Sequence, residues 1–395
     1  MRLLQPNTGR QRRRSAGFTL IELLVALAIG LALVLAITIM LFRYESGRRA
    51  LTASNDASMG TAYAAYILDR TLRSAGSGYA QSGVTTFGCR LLVARGATTV
   101  LPRSAAFPVP FDNVPIAAPM RLAPIVAFAG VGLGGSDVLA VMTGSSGLGE
   151  TRLEVKPASM TAASLKVSNT AGMRADDLML VTQRGNPNCM LQQTAAAFAG
   201  GASEQIDFGG TYASAAITTP TDTVQLVDMA AGTDRSYVIP VGNTTGNRPL
   251  FQLIGVGANA TLMAYDLLNV EPTPLTPIVD GVADLRVLYG IDSTGDGRVD
   301  RWERPTGATW GAAALLSGPA GTIAQIIAVR VGVLVRTSTP EKDPAAPTTL
   351  SLFADLPALR IDRPLGAAEQ KLHWRTLDFT VPLRNLMLNP PPPSP

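Results

Sequence analysis

A chain of 395 residues that is 47% hydrophobic and 16% charged carries ample apolar material for a packed core, and 38 glycines and 28 prolines stay below the level of low-complexity chains, which excludes a disordered polypeptide. The formal charge of +4 belongs to the first residues: Arg2, Arg10, Arg12, Arg13 and Arg14 precede Gly17 with no acid among them, and removing those five from 33 basic residues leaves 28 against 29 acidic ones. A near-neutral remainder offers no electrostatic footprint for nucleic acid, and the two cysteines, Cys89 and Cys189, lie outside any CxxC or Cys/His cluster that would suggest metal or redox chemistry.

Residues 18–42 read FTLIELLVALAIGLALVLAITIMLF, an apolar run with one charge, Glu22. At about 1.5 Å per residue it spans a hydrocarbon layer of about 30 Å with some tilt. The arginines ahead of it outweigh Arg43, Arg48 and Arg49 behind it, so the positive-inside tendency leaves the leader in the cytoplasm and exports everything after residue 43. A secretory signal would be cut at the far end of the run. Ala26-Leu27-Ala28 offers an A-x-A triplet, yet the apolar run continues beyond it and Glu22 interrupts the segment before it. A plain membrane anchor explains neither that carboxylate nor the small residue directly before the run.

Gly17-Phe18-Thr19-Leu20-Ile21-Glu22 matches the type IV prepilin signature, GFTLIE, at every position. The resemblance implies that prepilin peptidase cuts after Gly17 on the cytoplasmic side and methylates the new amino terminus, Phe18, while the apolar helix is retained. The implied organisation is a leader (1–17), a transmembrane and fibre-core half-helix (18–42), an exported amphipathic half (43–76), a head (77–389) and a proline-rich tail (390–395). Physical chemistry makes Glu22 intelligible in such a chain. An unpaired carboxylate in a bilayer costs several kcal/mol, the first helical turn favours negative charge, and cleavage frees an α-amino group with a pKa of about 8. The Glu22 of an incoming subunit then meets the Phe18 amine of its neighbour, rewarding correct register. The alternative for Glu22 is a residue snorkelling to the interface.

No proline occurs between Phe18 and Leu101, and residues 43–75 continue as a polar, alanine-containing segment. One helix therefore runs to about Ala75, with Ala65, Leu68, Leu72 and Ala75 as its apolar stripe and Gly76-Ser77-Gly78 as its stop. Beyond it the pattern alternates as strands do. Ile327, Val329, Val331, Val333 and Val335 form a period-two set that can face a core, and shorter runs lie at 137–142, 177–182, 223–227, 250–256, 285–289 and 377–383. The expected fold is α+β and pilin-like, a long N-terminal hydrophobic helix with a largely antiparallel, β-rich head. In an exported, oxidising compartment one disulfide between Cys89 and Cys189 is the expected reading, with two unpaired buried thiols as the alternative.

Within the head, GSDVL (135–139), DLMLV (177–181), VADLRVLYGIDSTGDGRVD (282–300), AVRVGVLVR (328–336) and TVPLRN (380–385) resemble, in order, recurring segments of the PilW group of large minor pilins. The implied function is a minor pilin that primes fibre assembly with other minor pilins at or near the tip. A type II secretion pseudopilin and an adhesive module whose head binds a surface or DNA are the alternatives. The partners implied are prepilin peptidase, major and minor pilins, the inner-membrane assembly platform and a tip adhesin. The chain would sit in the inner membrane before assembly and on the cell surface afterwards.

Two further motifs carry chemistry. Asp292, Thr294, Asp296, Gly297, Asp300 and Glu303 fall at the positions of an EF-hand-like calcium loop, with the Arg298 carbonyl as a further donor. Thr294 departs from the usual Asp or Asn, and a strand rather than a helix precedes the loop, so a Gly/Asp-rich turn joining two strands fits the same residues. His373 is the one histidine, too little for a His-based metal site and a slender basis for a Ser/His/Asp triad, so no enzyme is expected. The glycine run 130–135 stands before a strand, the reverse of the strand-then-helix order of a phosphate-binding loop.

Overall fold

The computed structural model describes residues 19–116, 120–145, 152–201, 203–271 and 273–387. The leader, Gly17, Phe18 and the tail 390–395 lie outside them. The first element is the helix α1, Leu20–Arg73, and the chain divides within it into one unit up to Ala53 and a second from Ser54 onward.

In the first unit, Leu20–Glu45 has a mean hydropathy of 2.9, long and apolar enough by length and composition to cross a membrane. Its leucines, isoleucines and valines are exposed in the single chain.

In the second unit, Ala57, Ala64, Leu68 and Leu72 are buried, followed by Ala75 just beyond the helix. The expected stripe is one residue out of phase at its start: Ala64 is buried and Ala65 only half-buried. Spacings of four, 64 to 68 to 72, keep the side chains on one face, while Tyr63 and Tyr66 lie exposed on the other. The helix ends where the glycines stand, with Gly76 at φ +78°, a conformation that a Cβ disfavours.

The head is built on three larger sheets. The first has six strands in the spatial order Thr98–Leu101, Arg90–Arg95, Asn188–Gln193, Asp177–Gln183, Ser236–Asn243 and Leu153–Glu154. Its Arg90–Arg95 and Asn188–Gln193 strands are parallel, against the antiparallel rule elsewhere. Cys89 and Cys189 form a disulfide beside that pair, their Cα atoms 5.7 Å apart. The second sheet has five strands, Leu275–Asp280, Thr261–Asp266, Leu250–Gly257, Val138–Thr143 and Ile125–Phe128. The third has four, Arg301–Glu303, Val282–Ile291, Ile326–Arg336 and Trp374–Pro382. An apolar N-terminal helix followed by a β-rich head is the α+β, pilin-like fold that the sequence implies. The run at 223–227 is shorter than its pattern suggests: the strand stops at Gln225, where Gln225 and Asp228 cap a 3-10 turn over Leu226–Ala230.

Leu68 and Leu72 of α1 share a continuous core with Val126, Val141, Leu253 and Val331. Ile326–Arg336 is buried on both faces, because a separate apolar cluster covers each of them. Val329, Val331, Val333 and Val335 enter the main core, whereas Leu334 joins Leu288, Leu350, Leu352, Phe353 and Leu365 in a smaller cluster. The alternation does not extend to Ile327. A bulge at Gly290/Ile291 pairs Ile291 with Ile326, and Ile326 takes the main-core place that the period-two pattern assigns to Ile327.

Candidate functional site

The first turn of α1 is closed by a reciprocal cap. Thr19 N–H and Thr19 Oγ1–H both donate to Glu22 Oε2, at 3.0 and 2.9 Å, and Glu22 N–H donates to Thr19 Oγ1 at 3.3 Å. This is the capping-box arrangement, which satisfies two of the donors that every helix start leaves open. It fixes Glu22 at the positive end of the helix dipole, with Oε1 free, among the described residues, to accept a cationic donor. The processing residues Gly17 and Phe18 lie outside the described residues. The sequence reading has Thr19 only as part of the signature and not as a cap, although its T-x-x-E spacing announces one.

The acidic loop lies between Val282–Ile291 and Arg301–Glu303, where Ile291 pairs with Arg301 and Tyr289 with Glu303. Asp292 is buried and turned into its own loop. Its Oδ1 accepts from Thr294 N (3.1 Å), Thr294 Oγ1 (3.3 Å) and Gly295 N (2.6 Å), and its Oδ2 from Gly297 N (2.8 Å). Asp296 accepts from Arg298 N at 2.9 Å. Asp300 accepts from Ser293 Oγ and N at 2.6 and 2.7 Å, and these bonds hold its carboxyl below the usual carboxylate range. Glu303, on the returning strand, pairs with Arg301 at 2.9 Å.

A calcium ion needs six to eight oxygens converging on one point. Here the oxygens face the loop's own N–H groups, and no group of three or more acidic, His or Cys side chains among the described residues is placed to hold a metal. The residues do not fit calcium. Asp292, Thr294, Asp296, Arg298, Asp300 and Glu303 instead make the Gly/Asp-rich turn of a hairpin, because Asp292 organises the turn and strand pairing draws Glu303 away.

The glycine run 130–135 is likewise a turn, tied down by Asp137. Asp137 Oδ1 accepts from Gly130 N and Oδ2 from Val287 N, both at 2.9 Å, and its own N–H donates to Leu285 O at 2.8 Å. Arg286 lies 3.7 Å from Asp137 and 2.9 Å from Asp284. Burial pushes the Asp137 carboxyl up to about 6, against the opposing pull of the Gly130 N–H and Arg286. One side chain thus staples the second sheet to the third. His373 Nε2 lies 3.3 Å from Glu341 Oε1 in a half-buried pair, and its backbone N–H donates to Thr337 Oγ1 at 3.2 Å.

A family model described as Type IV Pilus-assembly protein W matches residues 253–385, and one described as Prokaryotic N-terminal methylation motif matches residues 12–38. The first match runs from the middle of Leu250–Gly257 through the whole third sheet; the second brackets the Thr19–Glu22 cap and the start of the apolar helix. No curated protein and no solved structure matches the chain. Pilin families are structural rather than enzymatic, and the methylation motif with its apolar helix fits a membrane-anchored pilin.

Proposed function

Since this chain is a type IV pilin-like protein of the PilW type, we propose that it is cut between Gly17 and Phe18 by prepilin peptidase, methylated at Phe18 and assembled as a minor subunit that helps prime a pilus. The observation that carries this reading is the first turn of α1, where Thr19 locks Glu22 in place beside the position of the new amino terminus. A carboxylate so placed is poorly solvated in a bilayer and gains most from a neighbour's Phe18 ammonium, so assembly neutralises a charge that the isolated subunit leaves unpaired. The PilW-type match within the head favours a pilus over a secretion piston.

On this reading residues 18–42 lie in the fibre core, residues 43–76 support the head, and other minor pilins and the inner-membrane assembly platform are the partners. The test is mass spectrometry of the amino terminus in purified fibres. A methylated chain beginning at Phe18, together with loss of fibres on deletion, is the expected result. A chain beginning at unmethylated Met1 and absent from fibres would refute it, and defective secretion with intact fibres would point to a pseudopilin.

A further inference from the structure

The third sheet ends on Trp374–Pro382, nine residues that pair with Ile326–Arg336 without a register shift. Among the described residues no strand pairs with its other side. The other edges of the three sheets are blunted. Thr98–Leu101, Leu153–Glu154, Ile125–Phe128 and Arg301–Glu303 have two to four residues, and Leu275–Asp280 carries Pro277 and a bulge in its pairing. Long unprotected edges are rare in native sheets because their open N–H and C=O groups invite another strand. Here the one proline, Pro382, stands at the very end.

The ends of the ladder identify the open groups. Thr337 N–H donates to His373 O at 3.0 Å and Leu383 N–H to Ile327 O at 2.8 Å. Odd-numbered residues from 373 to 383 therefore bond inward, and Trp374, Thr376, Asp378 and Thr380 direct their backbone groups away from the sheet. Thr376 and Thr380 are exposed. On one face Leu377 and Phe379 are half-buried, Phe379 packing against the main core. Beside them Arg375 is exposed, its hydrogen bond going to Ser54 Oγ at 3.2 Å.

We infer that this edge receives an extended segment of a different fibre subunit, which adds as a further strand beside Trp374–Pro382; the inference rests on the minor-pilin reading. The outward backbone groups select a strand rather than a helix or an ion. Leu377 and Phe379 select apolar residues at alternate positions of that strand, and Arg375 selects an acid. A second copy of the same edge is a poorer occupant. Antiparallel pairing centred on Asp378 would bring two Asp378 carboxylates face to face and set Arg375 against Val381, and like charges directly opposite are unfavourable.

The experiment places a photoreactive phenylalanine analogue at Thr376 or Thr380 in the full-length chain, in its own cells, with exposed Thr223 on a separate hairpin as the control site. Irradiation is expected to link the edge positions, and not Thr223, to a different subunit bearing its own prepilin signature, at an extended segment of that subunit. Thr376→Pro, with the probe at Thr380, removes an outward N–H while sparing the inward ladder. It should lower the cross-link roughly tenfold, the effect of one lost hydrogen bond, with the unfolding midpoint unchanged. Should that variant unfold, hydrogen exchange of the unsubstituted chain decides instead: the amides of Thr376, Asp378 and Thr380 should slow on passing from detergent micelles into fibres. A chain present in fibres whose edge probes link only to its own copies, or no better than Thr223, overturns the inference. A chain absent from fibres overturns the minor-pilin reading as well.

Discussion

Gly332 lies directly beneath the ring of Phe353: a Cβ on Gly332 would stand 2.9 Å from Phe353 Cζ and 3.1 Å from Leu352 Cδ1. Phe353 is fully buried and holds φ at +56°, a backbone region costly for a bulky residue. With Asp378 accepting its N–H and Arg330 near its ring, it has little room to yield. Gly332→Ala is therefore expected to destabilise the head by about 1–3 kcal/mol through overpacking. Chemical unfolding of the full chain in detergent measures it, and an unchanged midpoint would count against the packing described.

Thr19 and Glu22 separate two roles that a single substitution would confuse. Thr19→Ala removes the cap, at about 0.5–2 kcal/mol of local helix stability, but keeps the carboxylate and should leave fibre incorporation largely intact. Glu22→Gln keeps an acceptor for the Thr19 N–H but removes the charge, and should abolish most incorporation. Immunoblots of sheared fibres distinguish the two, and equal incorporation of both variants would refute the charge-pairing account.

Asp137 gives the head a pH dependence of defined sign. Its folded-state pKa is raised from 3.8 to about 6 by burial, so its contribution is fully favourable below about pH 4 and is lost as pH rises through 6. The loss amounts to about 3 kcal/mol at most. Asp222 and Asp355, drawn below their usual range chiefly by hydrogen bonds from Arg90 and Arg330, act in the opposite direction as pH falls. The contrast with Asp137→Asn isolates the group: unfolding midpoints should favour the native chain increasingly as pH drops from 7 to 4. A pH-independent difference would exclude the shift.

Cys189→Ala opens a link between residues separated by 100 positions. Loss of such a cross-link is expected to cost roughly 2–5 kcal/mol, read as a lower denaturant midpoint that matches the native chain under reduction.

Millimolar calcium should leave the unfolding midpoint of the full chain unchanged and release no heat in titration, since the loop oxygens already serve the loop's own N–H groups. Asp292→Ala, by contrast, should loosen the hairpin, because four bonds converge on its carboxylate. A saturable calcium heat lost in Asp292→Ala would reverse this reading.

The apolar run, the glycine stop near Gly76 and the valine alternation of 329–335 were legible in the sequence because each is a local periodicity with one physical meaning. What escaped were phases and directions. The burial of Ala64 rather than Ala65 depends on how the helix is rotated against the sheets, and the place of Ile326 depends on a bulge made by a partner strand. Spacing puts Asp292 and Glu303 in a calcium pattern, yet it does not determine whether a carboxylate turns toward a common centre or toward its own amides. The Asp137 staple is invisible in sequence, since Gly130 is in a turn and Val287 is on a strand of the third sheet 150 residues further on.

Because Ile326–Arg336 sends alternate side chains into two separate clusters, it can thread the molecule in one way only. A slip by a single position would thrust valines into the space shaped around Phe353 and strand Leu334 among the wrong neighbours, so any misthreaded head would carry two defects at once and be steeply disfavoured during folding.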